Sequence, residues 1–263
     1  MTAQAPPVPG SRTGMSLWRL EWLRLVRTPR AVALALVFVA VGLIEPVATK
    51  FENKLFGHVS GGIKITLPPP TPADGLNSYV SEATLIGLIL TVAFTAGAMS
   101  FDTRHGLAIF LRTRVRGMWQ LVAPRFAVNA GAAAAAYVLG TLGAWYETQV
   151  LIGRLPISGM AAGMLCGGMY FVLATAVSVF AASAVRSTIG AVGIALGVLV
   201  LLPILSMIQP IANWLPSALV GAPASLVSGS YRLSHFVPAL AVAVAGTVAA
   251  LAAAVRLLGS RET

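Results

Sequence analysis

Only 10% of this 263-residue chain is charged and 57% is hydrophobic, whereas soluble domains carry about 25% charged residues. Such a composition cannot build a water-facing surface around a globule of this length, which makes the chain an integral membrane protein. Eighteen Lys and Arg against eight Asp and Glu leave a formal charge of +10, a nucleic-acid signal in a soluble protein, but one whose meaning here depends on where the charges fall.

In chain order, residues 1–15 are expected to be disordered, and Ser16–Arg30 (SLWRLEWLRLVRTPR) reads as a short amphipathic helix. At 100° per residue Trp18, Trp22 and Leu25 share one face, while Arg19, Arg27 and Arg30 cluster on another. Such a helix lies in the membrane interface with its indoles at headgroup depth; ordinary basic flanking sequence is the competing reading. Six uncharged apolar runs of spanning length follow, at about 31–48, 79–101, 126–146, 157–185, 188–208 and 236–258. Glu45 and Pro46 interrupt the first near its end, and only Arg186 and Ser187 separate the fourth from the fifth, which demands a tight turn. The fold class is all-α: one polytopic domain over residues 1–258, with a tail at 259–263.

Basic residues near span ends are retained on the cytoplasmic side. With six spans both termini share a side, and that side holds thirteen of the eighteen basic residues, so the expectation is a multi-pass protein of the cell membrane with both termini cytoplasmic. The outer side balances five basic residues against Glu45, Glu52, Asp74, Glu82 and Glu147, so the whole +10 lies on the terminal side. The charge is an orientation signal, and no nucleic-acid partner is expected.

Three connecting segments stand out. Asp102–Arg125 has five arginines interleaved with apolar residues, a composition suited to docking another protein or to lying on lipid. Thr66–Asp74 (TLPPPTPAD) favours extended backbone leading to a turn at Pro72–Asp74. Gln209–Ser234 is broken by Pro210, Pro216 and Pro223 yet apolar, so it is expected to dip back into the interface or the bundle as a re-entrant outer segment.

Chemistry-bearing groups are sparse. Cys166 is a lone cysteine in an apolar run, His58, His105 and His235 are far apart, and neither metal-ligand spacing nor a catalytic Ser/His or paired-Asp set occurs in the spans, so no metal site and no catalytic residue is expected. No Gly-x-x-x-x-Gly-Lys-Ser/Thr motif is present and the three lysines are all assigned outside, so ATP hydrolysis would need another chain. Span polar groups are mild, with Asn129 the foremost pathway candidate and an interhelical hydrogen bond its competing role. The Gly159, Gly163, Gly167 steps and the Gly193, Gly197 step mark close helix packing, within the chain or at a dimer seam.

PPPTPADGLNSYVSEA (68–83), followed by AGAMSFDTRHGLAIFLRTRVRGMWQLVAPRF (96–126), together with the order of parts, resembles the permease subunits of ABC type-2 exporters. Asp102 stands where that family often has Glu, Gly106-Leu107 replaces Gly-Thr, Thr113–Arg116 only approximates Pro-Val-Ser-Arg, and Arg125 replaces Lys. The resemblance implies a coupling helix within Asp102–Trp119 that docks on a separate ABC ATP-binding subunit through Asp102, Arg104, Phe110, Arg112, Arg114, Arg116 and Trp119. It implies an interfacial helix bearing Trp18, Trp22 and Arg27, and a second copy or similar permease packed through Gly193 and Gly197. This chain would bind no cofactor, ATP residing on the partner, and would move an amphipathic or lipid-like cargo. A membrane anchor or assembly subunit is the alternative.

In a Cys166→Ala background, an impermeant maleimide added to intact cells should label a cysteine at Thr71 and leave one at Arg186 unlabelled until permeabilisation; the reverse pattern would invert the orientation.

Overall fold

The computed structural model describes residues 17–59, 69–99 and 117–260. No strand occurs among them, and six helices are long and apolar enough to cross a bilayer. A short helix α1 (Leu17–Arg27) precedes α2 (Pro29–Val59), α3 (Pro72–Met99), α4 (Trp119–Leu151), α5 (Ile157–Ala184) and α6 (Thr188–Leu205). On the face opposite the chain ends, the segment expected to be outer consists of two short helices, α7 (Gln209–Ala212) and α8 (Ala222–Val227), with 3-10 turns at Pro216–Leu219 and Leu233–Phe236, and leads into α9 (Val237–Ser260). Residues 1–15 and most of the expected coupling helix lie outside the described residues.

α2, α3 and α4 are longer than their apolar runs because their ends leave the hydrocarbon without leaving the helix, whereas α6 stops at Leu205, three residues short of its run. α2 continues through Pro46, which is buried, and past Glu45 to Val59, so the break expected there does not occur. Neighbouring helices and ordered groups re-satisfy the backbone that proline frees inside a membrane helix. The expected turn at Pro72–Asp74 is the first turn of α3: Pro72 sits where its missing N–H would have been unpaired anyway. The Asp74 carboxylate accepts the Thr71 backbone N–H at 2.8 Å and the Thr71 hydroxyl at 2.6 Å. The link at Arg186–Ser187 is as tight as expected, with the Ser187 hydroxyl accepting the Gly190 N–H at 3.3 Å to cap α6.

α5 is the central helix, with 72% of its most apolar window buried, against 17% for α6 at the edge. Its Phe171 meets Tyr137 of α4 at 5.1 Å and Phe38 of α2 at 5.2 Å between ring centroids, and Tyr79 of α3 lies 6.2 Å from Tyr137. The Tyr79 hydroxyl donates to the Tyr137 carbonyl at 3.0 Å, with the Thr141 hydroxyl 3.2 Å away. Four helices thus converge on one aromatic cluster, in which the Tyr79 hydroxyl is bonded while the buried Tyr137 hydroxyl has no hydrogen-bond partner among the described residues. α9 lies along the other side of α5, burying Ala239, Ala243, Thr247, Leu251, Ala254 and Leu258, one per turn.

Glycines set how near the helices come. A β-carbon at Gly42 would strike the Gly140 carbonyl, and one at Gly140 would strike the Phe38 carbonyl, so α2 and α4 cross backbone to backbone. The Gly159, Gly163, Gly167 series on α5 is used wholly inside the chain. Gly159 faces the Leu226 carbonyl and Gly163 faces Pro223, both in the outer segment, while Gly167 receives the Tyr137 ring. The outer segment therefore does return to the bundle, burying Pro216, Leu219, Ala222, Pro223 and Val227.

Leucine at Gly163 should destabilise the fold by about 3 kcal/mol, the upper end of overpacking. Leucine at Gly193, which has nothing within 4 Å, should stay within about 0.5 kcal/mol of the parent. Detergent-titrated unfolding followed by circular dichroism reads both.

Candidate functional site

The polar groups that could act together gather where α1, α2, α3 and α4 meet at the terminal face. α1 ends because Pro29 cannot donate into it; Thr28 closes the last turn, its N–H on the Arg24 carbonyl at 3.1 Å and its hydroxyl on the Leu25 carbonyl at 3.3 Å. α2 starts at once, so the two helices are joined by a single residue and cannot move independently by much.

The inward face of α1 presents an acid. Glu21, 7% exposed, accepts from the Nε of Arg125, 3% exposed, at 2.9 Å, and Arg24 lies 4.0 Å from the same carboxylate oxygen. Arg125 is therefore not the last residue of a loop, as the sequence suggested. It is a buried member of α4, which begins seven residues before the expected start of the third span. Trp119 is likewise not the end of a docking helix: it is the first residue of α4, preceded by a turn at Gly117–Met118, and is 52% exposed. Ion pairing explains the difference, because an arginine with a carboxylate waiting for it can enter the membrane helix, whereas an isolated one cannot.

Two clefts flank this pair. One, of about 20 Å³, lies between α2, α3 and α4 and is lined by Arg30, Thr91, Thr95 and Asn129 among apolar residues. The second, of about 30 Å³, shares Arg30 and Asn129 and adds Glu21, Arg24 and Thr28. The Thr91 hydroxyl is buried with no hydrogen-bond partner among the described residues. Asn129 donates to the Arg125 carbonyl of its own helix at 2.8 Å, so it makes an intrahelical bond in place of the expected interhelical one, and it edges both clefts. Each is a narrow polar recess beside a fixed charge pair, with room for about one or two water molecules.

The remaining expected residues fall elsewhere. Trp18, Trp22 and Arg27 are exposed on α1. Gly193 and Gly197 lie on the outward face of α6, with open space at both, beside exposed Ile194, Val198 and Leu201. Asp102, Arg104, Phe110, Arg112, Arg114 and Arg116 lie outside the described residues. Glu21 was missed as a site residue, although it is the lone acid among the arginines of its helix. Among the described residues no group of His, Cys, Asp and Glu is arranged to hold a metal ion.

No family model matches the chain. It is 21% identical over 211 residues to the uncharacterized transmembrane protein YxlG of Bacillus subtilis (strain 168), covering 77% of this chain and 80% of the relative. This chain is a transmembrane protein with six candidate spans. The extent of the match, most of both chains, means that the likeness concerns the whole bundle.

Glu21→Gln should cost about 3–5 kcal/mol by stranding the Arg125 charge, and adding Arg125→Gln should recover a large part of that loss. A double-mutant cycle on detergent unfolding measures the coupling, and simple additivity would show that the pair does not hold α1 in place.

Proposed function

We propose that this chain is the transmembrane permease subunit of an ATP-driven exporter of the ABC type-2 kind, residing in the cell membrane with both termini cytoplasmic. The observation that carries this reading is the Glu21–Arg125 pair. It ties the N-terminal helix to the start of α4, immediately after the basic segment that resembles a coupling helix. A force applied to residues 102–116 by a nucleotide-binding subunit would enter α4 at Trp119. Through Arg125 it would reach α1, and through the single-residue link at Thr28 it would reach α2. Two spans would then answer to one docking point, as a transport cycle requires.

The second support is the unused face of α6. Its three buried side chains, Ala191, Ala195 and Leu199, point to α5 and the outer segment, while Gly193 and Gly197 leave a smooth surface on the other side. A second permease, identical or similar, would pack there and complete a pathway. The cargo is amphipathic or lipid-like, in keeping with the mild polarity of the Thr, Ser and Asn groups that stand in the apolar runs. ATP would be bound and hydrolysed by the separate subunit.

Expressed in its own host with an affinity tag, the chain should co-purify with an ABC ATP-binding subunit, and Phe110→Ala with Trp119→Ala should reduce recovery of that subunit at least tenfold while leaving the permease folded. Proteoliposomes of the pair should move a fluorescent lipid in an ATP-dependent manner. Co-purification without movement of any cargo would favour the membrane-anchor reading, and no association would sink the proposal.

A further inference from the structure

Buried hydroxyls in these spans share one habit. Thr141, Thr175, Ser178 and Thr247 each donate to the carbonyl four residues back on their own helix, at 2.7–2.9 Å. Thr91 of α3 does not: the residue is 2% exposed, and its hydroxyl has no hydrogen-bond partner among the described residues. The carbonyl four residues back is the ordinary partner of a threonine in an apolar helix, and a buried hydroxyl that forgoes it without another partner bears its full desolvation cost. Thr91 lines the small recess between α2, α3 and α4; Thr95, one turn on and equally buried, lines it too, and Asn129 lines it from α4.

The size and chemistry of the recess select its occupant. Its volume of about 20 Å³ exceeds the roughly 10–15 Å³ that one water needs and leaves no room for a larger molecule. Asn129 places one N–H on the Arg125 carbonyl, which leaves its side-chain oxygen and its second N–H for the recess. Two hydroxyls and an amide offer donors and acceptors together, and water answers both. A bare cation would find no carboxylate in the lining, and an anion would meet the Asn129 oxygen. We propose that this recess is a binding site for one water molecule, hydrogen-bonded to the Thr91 hydroxyl and to the Asn129 side chain. The bridge lies where direct contacts run out. Ser78 and Tyr79, at the start of α3, bond to Thr49 of α2 and to Tyr137 of α4, whereas from Val80 to Thr95 no α3 side chain bonds to another helix among the described residues. Thr91 stands about 12 Å from the terminal end of α3 at Met99, at 1.5 Å per residue. The water therefore ties the terminal half of α3 to α4, and through the Asn129–Arg125 bond to the turn of α4 that holds Glu21. This tie holds whether or not the chain transports anything.

The test is X-ray hydroxyl-radical footprinting of the full chain in nanodiscs, in which a bound water is split in place and oxidises the buried side chains beside it. Leu34, 4% exposed, lines the recess, whereas Leu199, 0% exposed, stands in the core on α6. Leu34 should be oxidised severalfold faster than Leu199. Thr91→Val keeps the shape and removes the hydroxyl, so it should bring Leu34 down to the Leu199 rate and lower Tm, while Thr91→Ser keeps both parental values. If Thr91→Val does not fold, Asn129→Leu removes the other partner of the water and should abolish the same label. A dry recess reverses the sign: Leu34 is as slow as Leu199 in the parent, and Thr91→Val is at least as stable because an unbonded hydroxyl has gone. Either result would overturn the proposal, as would Leu34 labelling unmoved by both substitutions. Leu34 oxidation that appears only when chloride is removed from the buffer would overturn it too, by showing an anion in the recess.

Discussion

In lipid the tails outside are as apolar as the side chains within, so helix association gains nothing from expelling water and rests on how closely the helices can pack. The decisive contact is the crossing of α2 over α4, where Gly42 and Gly140 bring carbonyl groups and α-carbons together. That approach places Phe38 where it reaches Tyr137 and Phe171, and it sets Tyr79 against the Tyr137 carbonyl. Without it the aromatic cluster has no common centre. With it, α3 and α5 are drawn to the same point, and the remaining helices are built on α5.

The charge pair at the terminal face depends on this arrangement and extends it. Burying Glu21 and Arg125 is costly for each alone, and is tolerated because α2, already fixed on α4, delivers α1 to the start of α4 through one intervening residue. Packing in the hydrocarbon and electrostatics at its edge are thus parts of one construction, with the Thr28–Pro29 junction as the joint between them.

Much of the architecture was readable in the sequence because spanning helices are composition signals. Six apolar runs became six helices, and the pair Arg186–Ser187 became the tight turn it had to be. The helix ends were not readable in the same way. Val59, Trp119 and Leu151 lie beyond the apolar runs that located their helices, since a helix continues past the hydrocarbon wherever capping and tertiary contacts permit. Arg125 was hidden by the same logic: a charge read alone marks a loop, and only its distant partner Glu21 turns it into a helix residue. The proline at position 46 misled in the opposite direction, because a buried helix tolerates proline that a solvated one would not. Glycine steps announced close packing but not the partner, since Gly163 and Gly193 look alike in sequence and differ only in what the fold places beside them.

The outer segment meets α5 through glycine notches that receive main chain and a proline ring, and it also buries the side chains of Leu219, Ala222 and Val227 in the bundle. Its anchorage is thus written in the α5 glycines, in Pro223 and in these side chains, and scarcely at all in the exposed stretch Ser228–Ser234 beyond them. Under selection the two parts will drift at different speeds. The notch tolerates almost no added atom, whereas the crown is constrained chiefly at Gly229, whose positive φ favours glycine, and its other positions are the ones best able to acquire new surface chemistry at little cost to the bundle.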